Sequence, residues 1–358
     1  MDALAIIKYA CAVAVGAVSY FSLSSLYTTF GKRKGLTSLR PLRVLITGAA
    51  GHIGYALAPL IARGLMCGPE QQVILHMHDR EAAAQNLSAV QMELDDLASD
   101  LLLSTEIMHD LEEACKDVDI AVLLSGISPK RSHEDFVQES RAMYSLLGRA
   151  LNDHASENVK VVVVPQPAST NAAVIADSAP RLSAENITIL SRLAQNRLTQ
   201  QVADALNIHA SMVSNVIVWG NATSSCVLDI LHGSVRGERG FVPLQNCVDE
   251  ELIQIISQAV RERTASIVQA RNLTPALSVA GAICDHFRDW QLGTPEGSWV
   301  SMGVASDGSY GVPEGLFFSM PVTCRGGQWH IVRGLAVKED VRERLQACIE
   351  EAQQEQGH

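Results

Sequence analysis

The 358-residue chain is 47% apolar and carries 28 Lys and Arg against 39 Asp and Glu, a net charge of −11. The apolar share excludes intrinsic disorder. The acidic balance excludes a nucleic-acid partner, because no basic field exists to release counterions from a phosphate backbone.

The charge is unevenly placed. Residues 1–40 hold five bases and one acid, which leaves a net −15 on the remainder. Residues 9–30 contain no charged side chain, and 15 of these 22 residues are apolar. As a helix they would extend about 33 Å, enough to cross a hydrocarbon core of about 30 Å. The Lys32-Arg33-Lys34 cluster that follows places the body on the cytosolic or matrix side by the positive-inside rule. The segment therefore reads as an N-terminal transmembrane helix, with a helix packed on the body and a cleaved leader as rival readings. The eight cysteines are scattered without a C-x-x-C pair, so neither a disulfide framework nor a metal site is legible.

After Pro41 the pattern becomes α/β. An apolar run over 42–47 meets Gly48-Ala-Ala-Gly51-His-Ile-Gly54, a helix-like stretch follows over 55–63, and a second run over 72–77 ends at His78-Asp79. Strand, glycine turn, helix, strand and acid within one short unit form the βαβ dinucleotide fingerprint. Gly48, Gly51 and Gly54 let the backbone approach a pyrophosphate at a helix N-terminus; the turn also needs them without any ligand. Asp79 would accept hydrogen bonds from the ribose hydroxyls, which favours NAD over its 2′-phosphate form. Further apolar runs over 120–124 and 159–164 end at Ser125-Gly126 and Pro165-Gln166, as strands of a doubly wound parallel sheet buried on both faces. The loops after them, Gly126 included, would open at the ligand-binding edge of such a sheet. The predicted organisation is an anchor over 1–40, a Rossmann-type domain over 41–172, a second α/β substrate lobe over 173–340, and an acidic helix or tail over 341–358.

Five stretches carry a resemblance that extends from about Arg43 to Lys338. They are Ile46-Thr-Gly-Ala-Ala-Gly-His-Ile-Gly-Tyr55, Gln91-Met-Glu-Leu-Asp95, Trp219-Gly-Asn221, Ile283-Cys-Asp-His286 and Gly293-Thr-Pro-Glu-Gly297, the last followed by Val300-Ser-Met-Gly-Val304 and Ser306-Asp-Gly308. The chain resembles the malate dehydrogenases of the cytosolic type. That resemblance implies an NAD-binding lobe, a substrate lobe and a homodimer. It also implies a proton-transferring His held by an Asp. The position after Trp-Gly-Asn, where the family has the His, is Ala222; the family's Asp position is Ala194, in Arg192-Leu-Ala-Gln-Asn-Arg197.

The substrate loop departs too. It reads Pro129-Lys-Arg-Ser-His-Glu-Asp135, with Lys130 or Arg131 in place of the family's first arginine and Glu134 in place of its second. Gln166 stands where the family has the Asn that orients the carbonyl. Arg197 remains as a carboxylate partner or as half of a structural ion pair. Three histidines, His52, His78 and His133, are alternative proton donors. These departures predict a malate-dehydrogenase-like pseudoenzyme that retains NAD as its cofactor and serves as an accessory subunit among protein partners, with the mitochondrial inner membrane as its home. The alternative is an NAD-dependent 2-hydroxy-acid oxidoreductase with altered catalytic residues.

Overall fold

In the computed structural model, residues 40–126, 133–220, 226–237 and 240–356 are described. The first strand, β1 (Leu42–Thr47), is buried over its last four residues. It ends where Gly48 adopts φ +68°, a conformation open to glycine and costly with a Cβ. Helix α1 (His52–Ala62) then returns to β2 (Val73–His78), and α2 (Ala84–Asp96) leads to β3 (Leu102–Met108). A short α3 (Leu111–Cys115) precedes β4 (Ile120–Leu123), and α4 (His133–His154) precedes β5 (Lys160–Val163). Next come α5 (Ala168–Ser178), β6 (Ile187–Ile189) and α6 (Arg192–Ala205).

The second half opens with small strands: β7 (Val213–Ser214), β8 (Ile217–Trp219), β9 (Val227–Asp229), β10 (Ser234–Gly237) and β11 (Gly240–Pro243). Two long helices follow, α7 (Glu250–Arg271) and α8 (Leu277–Leu292). The chain finishes with β12 (Val300–Ala305), β13 (Phe317–Arg325), β14 (Gln328–Ile331) and α9 (Glu339–Gln356).

Among the described residues, one nine-stranded sheet runs in the order β14-β13-β12-β6-β5-β4-β1-β2-β3. Strands β1 to β6 pair in parallel, and β12 to β14 add an antiparallel extension. The parallel part therefore has the doubly wound order 3-2-1-4-5-6, whose switch point between β1 and β4 is where ligands bind in such sheets. Helices α1 and α8 cover one face through Leu57, Ile61, Ile283 and Phe287. Helices α4 and α5 cover the other through Tyr144, Leu147, Leu151 and Ile175. A separate cluster joins α6, α7 and the small strands. Helix α9 buries Leu345, Ile349 and Ala352 against Trp219 and Phe318, so the acidic C-terminal segment is an amphipathic, packed helix.

The expected transmembrane helix over 9–30 lies outside the described residues. Among those described, no helix is long and apolar enough to cross a membrane. The two longest, α4 and α7, each have 22 residues and carry charged side chains along their length.

One buried group sets an acid limb. His286 lies 5.7 Å from the Phe287 ring and 5.9 Å from the Trp290 ring. Thr188 donates its hydroxyl proton to the Val161 carbonyl at 2.9 Å. His286 Nε2, also 2.9 Å from that hydroxyl oxygen, must therefore donate to it. Burial, reinforced by the Arg192 charge, pushes the His286 pKa down to about 3. The unfolded chain takes up this proton near the ordinary value of about 6.5, the native chain only near 3. Stability should thus fall between those limits as pH decreases, by up to about 1.4 kcal/mol per pH unit. Thermal melts of His286→Asn against pH should show a shallower acid limb than the wild type; an identical slope would refute the assignment.

Candidate active site

The turn after β1 is built to expose backbone. Gly51 donates its N–H to the Gly48 carbonyl at 3.0 Å, and Tyr55 donates to the Gly51 carbonyl at 2.9 Å. Gly51 is the N-cap of α1 and has no side chain to satisfy the first helical N–H groups. A Cβ on Gly54 would sit 2.5 Å from the Ala49 carbonyl oxygen and 2.7 Å from its Cα, so only glycine lets the helix start this close to the strand. Thr47 Oγ1 accepts from the N–H groups of Leu124 and Ser125 at 3.1 and 3.2 Å, which joins the ends of β1 and β4. The result is a cleft of about 750 Å³ at the switch point, lined by Gly48, Gly51, Asp79, Gly126, Phe136 and Met143 among others.

Asp79 sits at the end of β2 with its carboxylate fixed twice. It accepts from the Ala50 N–H at 3.1 Å and from the Arg80 N–H at 2.8 Å. It therefore braces the glycine turn as well as facing the cleft, a structural role that the sequence did not reveal. His78 lines the same cleft, and its pKa is lowered mainly by burial. A pyrophosphate at the free N–H groups of α1 and a ribose at Asp79 fit these donors and acceptors.

A second cavity of about 600 Å³ adjoins the first, Leu124 lining both. Its wall is α6, held in register by polar contacts on several sides. Arg192 pairs with Asp289 at 2.6 Å. Asn196 donates to Asp285 at 2.9 Å, while Gln195 donates to the Val216 carbonyl at 3.1 Å and accepts from the Ser301 N–H at 2.8 Å. With those faces engaged, Ala194 and Arg197, three residues apart and so on one helical face, both line the cavity together with Gln166. Arg197 Nη1 donates to Thr264 Oγ1 at 2.9 Å. Its Nη2 is buried without a partner among the described residues. Burial first, then the neighbouring Arg263 charge, lowers the Arg197 pKa.

Two family profiles match the chain. The lactate/malate dehydrogenase NAD binding domain covers residues 42–188, and the lactate/malate dehydrogenase alpha/beta C-terminal domain covers 191–356. The chain belongs to the lactate/malate dehydrogenase family. A cytoplasmic malate dehydrogenase of Zea mays is 47% identical over 319 residues, spanning 88% of this chain and 96% of that protein. Among solved structures, a malate dehydrogenase of Naegleria fowleri superposes with a TM-score of 0.84 at 34% identity, covering 89% of this chain and 98% of its own. A Trichomonas vaginalis lactate dehydrogenase in complex with NADH and oxamate gives 0.83 at 32% identity, covering 88% and 97%.

The relatives correct one expectation. A membrane-anchored chain at the mitochondrial inner membrane runs against the likeness to the maize protein and to a malate dehydrogenase of Arabidopsis thaliana, both cytoplasmic, and among the described residues no helix is long and apolar enough to cross a membrane. The remaining site residues divide as follows. Gly48, Gly51, Asp79 and Gly126 line the dinucleotide cleft, with Gly54 packed behind it on Ala49. Gln166, Ala194 and Arg197 line the second cavity. Lys130, Arg131 and Ala222 lie outside the described residues, as does the side chain of His133. His52 places Nε2 2.5 Å from Thr274 Oγ1, at the rim of the second cavity. Sequence reasoning missed Arg261, which also lines that cavity. It missed the His232–Asp229 pair as well, 2.6 Å apart, which lies in a different pocket beside Ala336 and Lys338.

Proposed function

We propose that the protein is an NAD-dependent oxidoreductase of 2-hydroxy acids whose proton-transfer machinery is altered. The observation that carries this reading is the adjacency of the two cavities, a cleft at the glycine turn with Asp79 and a pocket holding a buried guanidinium with one nitrogen that has no partner among the described residues. When bound, the nicotinamide would supply the hydride, and the 2-oxo acid would take up one further proton to leave the 2-hydroxy acid. The chain's part is to hold the ribose at Asp79, the pyrophosphate at the N–H groups of α1, and a carboxylate at Arg197. Guanidinium suits that last task because its paired N–H groups match the two carboxylate oxygens.

A specific observation favours a second reading, in which the chain binds the cofactor without turnover. Ala194 fills the position that the resemblance assigns to the acid of the acid/base pair, and no Asp, Glu or His is among the described residues lining the second cavity. Removing such a pair typically costs about 10²–10⁴ in rate. Purified full chain assayed with NADH and oxaloacetate separates the two. Slow but saturable NADH oxidation is expected; complete absence of turnover beside intact NADH binding would establish the second reading.

Cofactor binding has its own test. Calorimetric titration with NADH should give saturable heat, and Asp79→Ala should weaken it by about 10–100-fold, the loss of charged hydrogen bonds to the ribose. The same variant should also melt at a lower temperature than the wild type, since the Ala50 N–H loses its acceptor. No heat from the wild type would remove the cofactor from the reading.

A further inference from the structure

The Asp229–His232 pair stands apart from both cavities of the candidate active site. Asp229 ends β9 with its side chain only 1% exposed, and donors surround its carboxylate. Oδ1 accepts from the N–H groups of Leu231 and His232 at 3.1 and 3.3 Å. Oδ2 accepts from Trp219 Nε1 at 3.3 Å and from His232 Nδ1 at 2.6 Å. An ionised carboxylate can only accept, so it keeps the imidazole proton on Nδ1. Nε2 is then the nitrogen that gains or loses a proton as pH changes.

The second acceptor at the ring is the backbone carbonyl of Ala336. With Nε2 protonated, the imidazolium donates to Asp229 on one side and to Ala336 on the other. With Nε2 bare, its lone pair meets the carbonyl oxygen, and attraction turns to repulsion. The hydrogen bond to Asp229 raises the His232 pKa above its ordinary value, against burial and the Lys338 charge. Asp229 from β9 and Lys338 from the coil before α9 are the charged groups that face the ring. Ser234 of β10, Pro243 of β11, Asn215 and Gln245 complete the surrounding cavity of about 430 Å³, with no further ionisable side chain among the described residues lining it.

Ala336 belongs to the coil over 332–338 that joins β14 to α9. Leu335 and Val337 rest half-buried on the apolar cluster beneath α9. Tyr310 donates its hydroxyl proton to the Val332 carbonyl and accepts from the Leu335 N–H at 3.4 Å. Both contacts fall before Ala336, so the His232 contact is closer to the start of α9. The far end of that helix is held separately. Arg141 Nη2 donates to the Glu355 and Gln356 carbonyls at 3.3 Å, and Thr170 donates to Glu355 at 3.0 Å.

We propose that His232 and Asp229 form a proton-operated latch on this coil. The charged ring holds the Ala336 carbonyl and with it the turn into α9, and the neutral ring lets both move. The direction follows from the raised His232 pKa. The latch is fully in force below the ordinary histidine value of about 6.5, and it is lost as pH climbs past the higher native value.

Hydrogen exchange of the full chain, corrected for the intrinsic pH dependence of amide exchange, tests the latch. The probes are the Leu335 N–H and the Arg342 N–H, which bonds the Lys338 carbonyl in the first turn of α9. Their protection should fall by about tenfold or more as His232 loses its proton, the worth of a hydrogen bond from a charged donor. Strand β1 should keep its protection throughout. An NMR titration of the His232 ring should show Nδ1–H in the neutral form and a midpoint that coincides with the fall. In His232→Gln the protection profile should be flat. Lys338→Gln, a change at an exposed side chain, should move the midpoint to higher pH, because a charge that opposes the imidazolium is gone. A flat wild-type profile, a fall that persists in His232→Gln, or a midpoint lowered by Lys338→Gln would overturn the proposal.

Discussion

Placing an acid/base pair at the two positions where the resemblance puts it, Ala194→Asp together with Ala222→His, is expected to raise NADH-dependent oxaloacetate reduction by about 10²–10⁴-fold over the wild type. The scaffold for one half is present. Ala194 faces the cavity from a helix whose other sides are fixed through Arg192, Gln195 and Asn196, so an aspartate there would project into the same space as Arg197. Each single replacement should give little. A histidine without its carboxylate lacks the group that fixes its tautomer and stabilises the imidazolium, and a carboxylate alone is a buried charge beside Arg197 with no proton to manage. The gain should therefore be strongly non-additive, with most of it appearing only in the double variant. Steady-state rates for the four proteins, with NADH affinity measured alongside, decide the matter. If the double variant were no faster than the wild type while binding NADH equally well, the vacancy at these two positions would not be what limits turnover.

How much of this site can be read from the chain depends on how local its causes are. The glycine turn is legible because its constraint is nearly covalent: a positive φ at Gly48 and a contact at Gly54 that no Cβ could survive. Even so, the helix starts at His52, three residues before its apolar pattern becomes visible, because Gly54 belongs to the first turn and serves packing on Ala49. Asp79 reads from the sequence as an expected ribose partner, whereas its role as a brace is not legible there. The brace depends on the pairing of β1 with β2, which brings Ala50 N–H beneath the carboxylate. Arg261 was not legible at all. In Arg261-Glu-Arg263 on a long polar helix it reads as a solvated face, and only the packing of α7 on α6 turns it into a cavity wall. The departures at Ala194 and Ala222 are expectations of the resemblance alone, read from matching segments on both sides that fix the register.

The second large effect concerns the support of α6 itself. Asp289→Ala is expected to destabilise the protein by about 3–5 kcal/mol, because it strands a guanidinium in the interior. Arg192 and Asp289 meet at 2.6 Å with each side chain only 13% exposed, so water cannot replace the lost partner as it would at the surface. The neighbourhood adds to the cost. His286, whose protonated form is already disfavoured by burial and by Arg192, offers no negative charge in exchange. Removing both charges should hurt less than removing one: Arg192→Met/Asp289→Ala should melt above Asp289→Ala, although it loses more atoms. A double variant no more stable than the single one would show that packing, rather than the unpaired charge, sets the cost. The functional consequence follows from position on the helix. Arg192 opens the helix that carries Ala194 and Arg197, so the same substitution should weaken carboxylate binding while NADH affinity, set on the other side of Leu124, stays near that of the wild type. An equal loss of both ligands would mean that the helix holds the whole cleft, and the two cavities could no longer be treated as separately supported.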